Sequence, residues 1–434
     1  MLRVSLYIAL DPQPFPDTGT YLSLAHQIAG RDLSTYDGRR TPGYPMAILV
    51  AGFSPEILRG LQMFAGLVAS LCLFQLAFNV TSSPAFGFLA AMTYNLNLAQ
   101  LFFESSLIPE TFTTVFVICA VAVMSSVCKR LKRNQKCTSR LVFTGFLAGV
   151  AVMLRPQFIF LPVVLGAYVI WLLRRKVKAE RYWALASALL VVAPGLVFVL
   201  GWSYFNHVYL GRFTLSTQTG VGLTEHTIAF VEFAPQKYSE VKTVLIRYRD
   251  AHLARTGRHT ATWDAVPELR QRMGVSQAGV DRELFNMSLA LIAAHPFRYA
   301  ALVWDAWVSF WLVSNPPGLR NLSFVSIGGV LSTVWHAEQL VLRAINLSFL
   351  IFVSAVTLFQ RYRATIDASS ILAVAIIVPS SLLQAILLGV DNTRYGVTVQ
   401  ALIVVVTLIA VHRLYAMTWL FGRNSTSVVT RADA

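Results

Sequence analysis

The feature that most constrains this chain is the recurrence of long apolar runs almost free of charge. They lie at 57–79, 84–103, 108–127, 141–154, 157–173 and 182–204, and again at 340–360, 368–390 and 396–414. A run of about 20 apolar residues crosses a hydrocarbon core of roughly 30 Å. In lipid every backbone polar group must be satisfied within the segment, which here means helices. The chain therefore reads as an all-α polytopic membrane protein with about 9–12 transmembrane helices. Composition agrees: 13% of the 434 residues are charged, against about 25% in soluble domains. The net charge of +15 could suggest a nucleic-acid partner. Much of it, however, sits in two short loops beside helix ends, the pattern of topology signals and anionic-lipid contact, so none is expected. The cysteines Cys72, Cys119, Cys128 and Cys137 follow no metal or disulfide spacing and read as free thiols.

Those basic loops orient the chain. One, 128–140, carries Lys129, Arg130, Lys132, Arg133, Lys136 and Arg140; the other, 174–181, carries Arg174, Arg175, Lys176, Lys178 and Arg181. Short loops this basic stay cytoplasmic. An even number of crossings must join them, so 141–154 and 157–173 form a hairpin whose outer tip holds Arg155-Pro156. Counting outward in both directions puts Asp17, Glu104, Glu110, Arg155, Arg212 and Arg394 at one non-cytoplasmic face. The segment Asp391-Asn392-Thr393-Arg394 is expected there too. Three parts follow: a membrane module at 1–204 with an outer loop at 11–56, an extracytoplasmic helical region at 205–296, and a second membrane module at 297–434. Residues 2–10 are apolar but too short to span, so either the first helix is a stub or the true start lies upstream. Residues 297–338 read either as an interfacial helix with a re-entrant piece or as two weak spans.

The outer loop holds the first candidates. Asp17 precedes a short amphipathic helix with apolar residues at Tyr21, Leu24, Ala25 and Ile28. It suits an N-cap. It also suits a general base at the water–lipid boundary, where partial desolvation would raise its pKa. Asp11 and Asp32 read as ordinary loop acids. Arg40-Thr41-Pro42-Gly43-Tyr44-Pro45 reads either simply as a stiff turn before a helix or as a turn that in addition offers Arg40 as a phosphate contact and Tyr44 as part of an acceptor wall. Glu110 opens a helix after Pro109, where an acid is favourable. Arg155 interrupts an apolar run, either snorkelling to the interface or meeting a phosphate there. No Walker loop, GxGxxG, HExxH or GxSxG pattern occurs, so nucleotide-dependent chemistry is not indicated.

Taken in order, these pieces resemble the GT-C superfamily of polytopic glycosyltransferases, in the branch of protein O-mannosyltransferases and the lipid A aminoarabinose transferase. They are Asp17-x-x-x-Tyr21-x-x-x-Ala25, the Arg40-to-Pro45 turn, Glu110 in PETF, and Gly145-x-x-x-Gly149 with Arg155-Pro156. Asn206 with Gly211-x-Phe213-x-x-Ser216, and Arg394-Tyr395, complete the set. The resemblance implies a GT-C-like helical bundle and a sugar donor carried on polyprenyl phosphate. It implies an inverting transfer to a hydroxyl of a glycan, lipid or protein acceptor at the outer face. Asp17 would be the base. Arg155, Arg394 and Arg40 would hold the donor phosphate. Tyr21, Tyr44, Glu104, Glu110, Asn206, Arg212, Ser216 and Tyr395 would line the substrate pocket. Some members use a divalent metal and others none; here Asp17 is followed by Thr18 and not by a second carboxylate. The setting implied is a bacterial inner membrane with the site facing the periplasm. The competing reading is a polytopic transporter or lipid-linked-glycan flippase, for which Pro194 and Pro379 inside apolar runs are the hints.

Overall fold

A computed structural model describes residues 2–9, 11–131, 133, 135–177, 181–313, 325–389 and 393–429. The described residues are helical nearly throughout, with one isolated bridge between Gln13 and Ser106. Among the described residues seven helical segments are long and apolar enough to cross a membrane: Pro55–Thr81, Glu110–Leu131, Pro156–Arg175, Arg181–Leu210, Thr333–Leu358, Ala368–Leu387 and Arg394–Ala416. Thr138–Leu154 is an eighth, shorter apolar helix. The all-helical, multi-pass class stands.

The N-terminal helices are α1 (Leu2–Ala9), α2 (Thr18–Gly30), α3 (Gly43–Val50), α4 (Pro55–Thr81), α5 (Pro84–Asn95) and α6 (Leu98–Glu104). The run 84–103, expected as one span, is split. The helix ends at Asn95 and restarts after Asn97, whose side chain accepts a hydrogen bond from Gln100 N. An asparagine at that position offers the backbone a cap in place of another helical turn. Next come α7 (Glu110–Leu131), α8 (Thr138–Leu154), α9 (Leu161–Leu172) and α10 (Arg181–Leu210). Helices α8 and α10 meet through small residues. A Cβ at Gly145 would lie 2.1 Å from the Val191 carbonyl oxygen, and one at Gly149 would lie 2.3 Å from the Phe198 ring. Close backbone approach through small residues is how helices associate where lipid removes the hydrophobic drive between them.

Between α10 and the C-terminal helices lie α11 (Thr219–Thr227), α12 (Ser239–Thr256), α13 (Thr262–Met273) and α14 (Gln277–Ala294). They bury a contiguous apolar cluster that includes Val221, Ile228, Val244, Leu269, Leu284 and Leu291. Glu225 sits in this region, its Oε1 accepting from Thr262 N at 3.0 Å. Burial pushes its pKa up to about 7. The remaining helices are α15 (Pro296–Trp311), α16 (Val325–Leu358), α17 (Ala368–Leu387) and α18 (Val397–Val429). Of the uncertain stretch 297–338, the first part is α15, amphipathic with Phe297 and Trp304 exposed; 314–324 lies outside the described residues, as do Asp391, Asn392, Lys132 and Lys178.

Two outcomes follow. Gly145→Val drives a side chain into the α10 backbone and lowers folded yield in membranes, read by fluorescence size-exclusion of a tagged chain. Glu225 carries a raised folded pKa, so charging it costs stability as pH climbs from about 4.5 to about 7, on the order of 3 kcal/mol at most. Glu225→Gln therefore stabilises the protein at pH 8 and leaves it little changed at pH 5, measured as thermal midpoints at the two pH values.

Candidate functional site: an ion cluster around Asp17

Asp17 is positioned from both directions along the chain. Residues 11–16 run beside the turn that precedes α7: Gln13 N donates to Ser105 O at 3.0 Å and Leu107 N donates to Gln13 O at 2.9 Å. Thr18 Oγ1 donates to Leu107 O at 2.9 Å. These bonds bring the start of α2 to the start of α7, and with it Asp17 towards Glu110. Asp17 occupies the N-cap position of α2, yet its side chain makes no cap hydrogen bond.

Its carboxylate is engaged elsewhere. Arg40 Nη2 donates to Oδ1 and Arg394 Nη2 donates to Oδ2, each at 2.6 Å. Arg40 is fixed in turn: its Nε donates to Thr20 Oγ1 at 2.8 Å, and its guanidinium lies 4.4 Å over the Tyr21 ring. Arg155 Nη2 donates to Glu110 Oε1, and Arg394 Nε stands 3.7 Å from the same oxygen. Arg155 and Arg394 both lie over the Tyr395 ring, at 4.4 and 5.2 Å. Three guanidiniums and two carboxylates thus meet in one cluster, with one positive charge in excess. Glu110 Oε2, Arg155 Nε and Arg394 Nε are buried with no hydrogen-bond partner among the described residues. Buried donors of this kind cost free energy unless something accepts from them.

The turn that presents Arg40 is pinned by packing. A Cβ at Gly43 would lie 2.5 Å from the Met153 carbonyl oxygen, so only glycine lets α3 press on the end of α8. Arg155 follows that end directly. Its backbone is extended (φ −143°, ψ 109°), the conformation imposed on a residue before proline. The chain break that exposes Arg155 is therefore written in Arg155-Pro156.

Burial raises the pKa of Asp17, but the Arg40 and Arg394 charges outweigh it and hold the carboxyl well below the usual carboxylate range. The expectation that desolvation would raise it is corrected: in this state Asp17 is a stable anion and a weak base.

The structure brings Tyr21 and Tyr395 to the cluster as aromatic floors under the guanidiniums. Tyr44 is fully buried beneath, donating to Gln62 Oε1 at 3.0 Å, so it is core and not an acceptor wall. Glu104 belongs to a separate buried pair: Arg3 Nε and Nη2 donate to its two oxygens at 2.6 and 2.8 Å. A lone arginine in the apolar stub LRVSLYIAL was the signal for that pair, since a charge at membrane depth needs a partner. Asn206, Arg212 and Ser216 are not at the cluster either. Asn206 accepts from Tyr36 Oη at 2.6 Å and Ser216 Oγ donates to Arg39 O at 3.1 Å. Arg212 Nη1 donates to Asp281 Oδ2 at 3.1 Å. Asn206 and Ser216 brace the loop that carries Arg40, and Arg212 ties the segment after α10 to α14.

Among the described residues no three His, Cys, Asp or Glu side chains come together, and both carboxylates of the cluster already face guanidiniums.

Residues 45–198 match the family model of dolichyl-phosphate-mannose-protein mannosyltransferase. The matched stretch includes Glu110 and Arg155; Asp17, Arg40 and Arg394 fall outside it. The match bears out the resemblance to polytopic glycosyltransferases of the GT-C type. No curated protein matches the chain. A solved structure, archaeal oligosaccharyltransferase AglB from Archaeoglobus fulgidus with an inhibitory peptide and a dolichol-phosphate, aligns over 89% of this chain at 13% identity and a TM-score of 0.43. That likeness is too loose to bear on the site, and this chain corresponds to only 44% of that protein's length.

Glu110 and Asp17 should separate structure from chemistry. Removing one partner of a buried ion pair costs about 3–5 kcal/mol, so Glu110→Ala, which strands Arg155, lowers the thermal midpoint sharply. Asp17 is a quarter exposed, and asparagine keeps an oxygen that accepts from a guanidinium, so Asp17→Asn lowers the midpoint by less than Glu110→Ala; equal thermal losses in the two variants would contradict this.

Proposed function

We propose that this chain is a membrane glycosyltransferase that moves a sugar from a polyprenyl-phosphate donor to an acceptor hydroxyl at the non-cytoplasmic face, with inversion at C1. The single observation that carries the reading is the sharing of the Asp17 carboxylate between Arg40 and Arg394, beside the Glu110–Arg155 pair. A cluster with one excess positive charge and unpartnered guanidinium donors suits a phosphate, which accepts in the same forked geometry as a carboxylate. The matched family's name points to the same donor class.

The reaction divides among these residues. The lipid-linked phosphate accepts from Arg155 and Arg394, and these donors stabilise its charge as the C1–O bond breaks. In engaging Arg394 the phosphate competes with Asp17 for that guanidinium. Losing one of its two partners, the carboxylate becomes more basic. It then takes the proton of the acceptor hydroxyl as that oxygen attacks C1 from the opposite side. In this scheme the donor switches on the base, which limits wasteful chemistry when no donor is bound. The transporter or flippase reading has less support. Pro194 and Pro379 both lie within unbroken helices.

Asp17→Asn lowers turnover by about 10²-fold or more, measured as transfer of labelled sugar from a polyprenyl-phosphate sugar in nanodiscs; near-normal transfer removes Asp17 from the mechanism. The donor-switched base has a signature in pH. The acid limb of kcat/KM reports the free protein and that of kcat the donor complex. Because the free-state carboxyl is held low, losing its proton acceptor role only in strong acid, the limb of kcat lies at higher pH than that of kcat/KM. Coincident limbs contradict the switch.

A further inference from the structure

A cavity of about 210 Å³ lies between α2 and the loop that carries Arg40. It far exceeds the ~10–15 Å³ that admits one water. Thr20 and Arg40 line it, and both also touch Asp17: Arg40 through its carboxylate, Thr20 by donating to Asp17 O at 2.7 Å. The cavity is thus a neighbouring compartment of the ion cluster, reached across Arg40. We infer that it is the acceptor subsite and that the acceptor is a glycan, a hydroxyl-rich sugar ring held beneath α2. This rests on the glycosyltransferase reading and adds the substrate class.

The lining argues for that class. Gln27 Nε2 donates to Ser23 Oγ and Thr35 Oγ1 at 3.2 and 3.1 Å, which leaves each of those lining hydroxyls a proton to donate to a ligand oxygen. Asp37 accepts from Arg39 Nε at 2.6 Å and leaves lone pairs for further hydroxyls. Hydroxyls, a carboxylate and guanidiniums thus share a small polar chamber, groups that a polyol can satisfy. A lipid chain would bury Gln27, Asp37 and Arg39 against hydrocarbon, at a cost of several kcal/mol. The chamber is also held open. Gly38 adopts φ +78° and packs under Leu210 and Thr217, with Thr217 N donating to Gly38 O at 3.0 Å.

The test is binding, followed by hydrogen–deuterium exchange on the full chain in nanodiscs. Mannotriose and maltotriose are offered as soluble glycans, and a Ser/Thr-rich peptide as the alternative acceptor. At least one trisaccharide is expected to slow exchange over residues 18–42 by about two-fold or more. Ser23→Trp, which fills the cavity from an exposed position, and Gln27→Leu, which removes the amide that orients the Ser23 and Thr35 hydroxyls, each abolish that protection. No protection by either sugar, protection indifferent to both substitutions, or protection by the peptide alone overturns the inference. Transfer assays on Asp17→Asn judge the ion cluster, so either idea can fail without the other.

Discussion

Everything in this structure turns on a carboxylate held between two guanidiniums that come from opposite ends of the chain. Asp17 is bonded by Arg40 and by Arg394, and Arg394 reaches on towards Glu110 and its partner Arg155. No single element could assemble these groups. Five charged side chains in a mostly apolar bundle are expensive one at a time and tolerable together, because each satisfies another. The cluster therefore specifies how the N-terminal loop, the start of α7, the end of α8 and the start of α18 converge. Its excess positive charge is the part that packing alone does not explain.

The rest of the architecture can be read as support for that convergence. Gly43 lets the Arg40 turn lie against the last residues of α8, and Pro156 forces Arg155 out of helical conformation at the same place. Gly145 and Gly149 seat α8 on α10. From the end of α10, the loop through Asn206, Thr214 and Thr217 reaches back to clasp residues 36–39. One small-residue seam thus connects the membrane bundle to both sides of the Arg40 turn. A rigid seat matters here, since a displacement of about 1 Å at a reacting centre costs orders of magnitude in rate.

Much of this was legible in the residues. Long apolar runs specified helices, and the parity of basic loops anticipated that Asp17, Glu110, Arg155 and Arg394 would share a place although as many as 377 positions separate them. What escaped was pairing. Glu104 looked like a companion of Glu110 because both flank one short turn, but Arg3 neutralises it away from the cluster. Tyr44 looked like a pocket wall because it sits in the turn, but its aromatic ring is drawn into the core, where Gln62 accepts its hydroxyl. Asn206, Arg212 and Ser216 carry a recognisable spacing and serve as braces. Side-chain pairing depends on distances that spacing does not encode. The pKa of Asp17 went the wrong way for the same reason: burial alone points up, and only the two guanidinium contacts reverse it.

That reversal also gives the proposed chemistry its order. A carboxylate already free and basic would suit attack at any moment, including on a donor not yet seated. A carboxylate locked by two arginines is idle until a competing anion takes one of them. In the proposed scheme the guanidinium that receives the phosphate is the one that had restrained the base, so one side chain links donor binding to proton removal. Arg40 stays behind as the second partner and faces the polar chamber on its other side. In the proposed reaction the two cations thus have distinct tasks: Arg394 answers to the departing phosphate, and Arg40 keeps Asp17 aimed at the attacking hydroxyl. Such a division needs two cations of the same type in unequal surroundings, as the cluster provides.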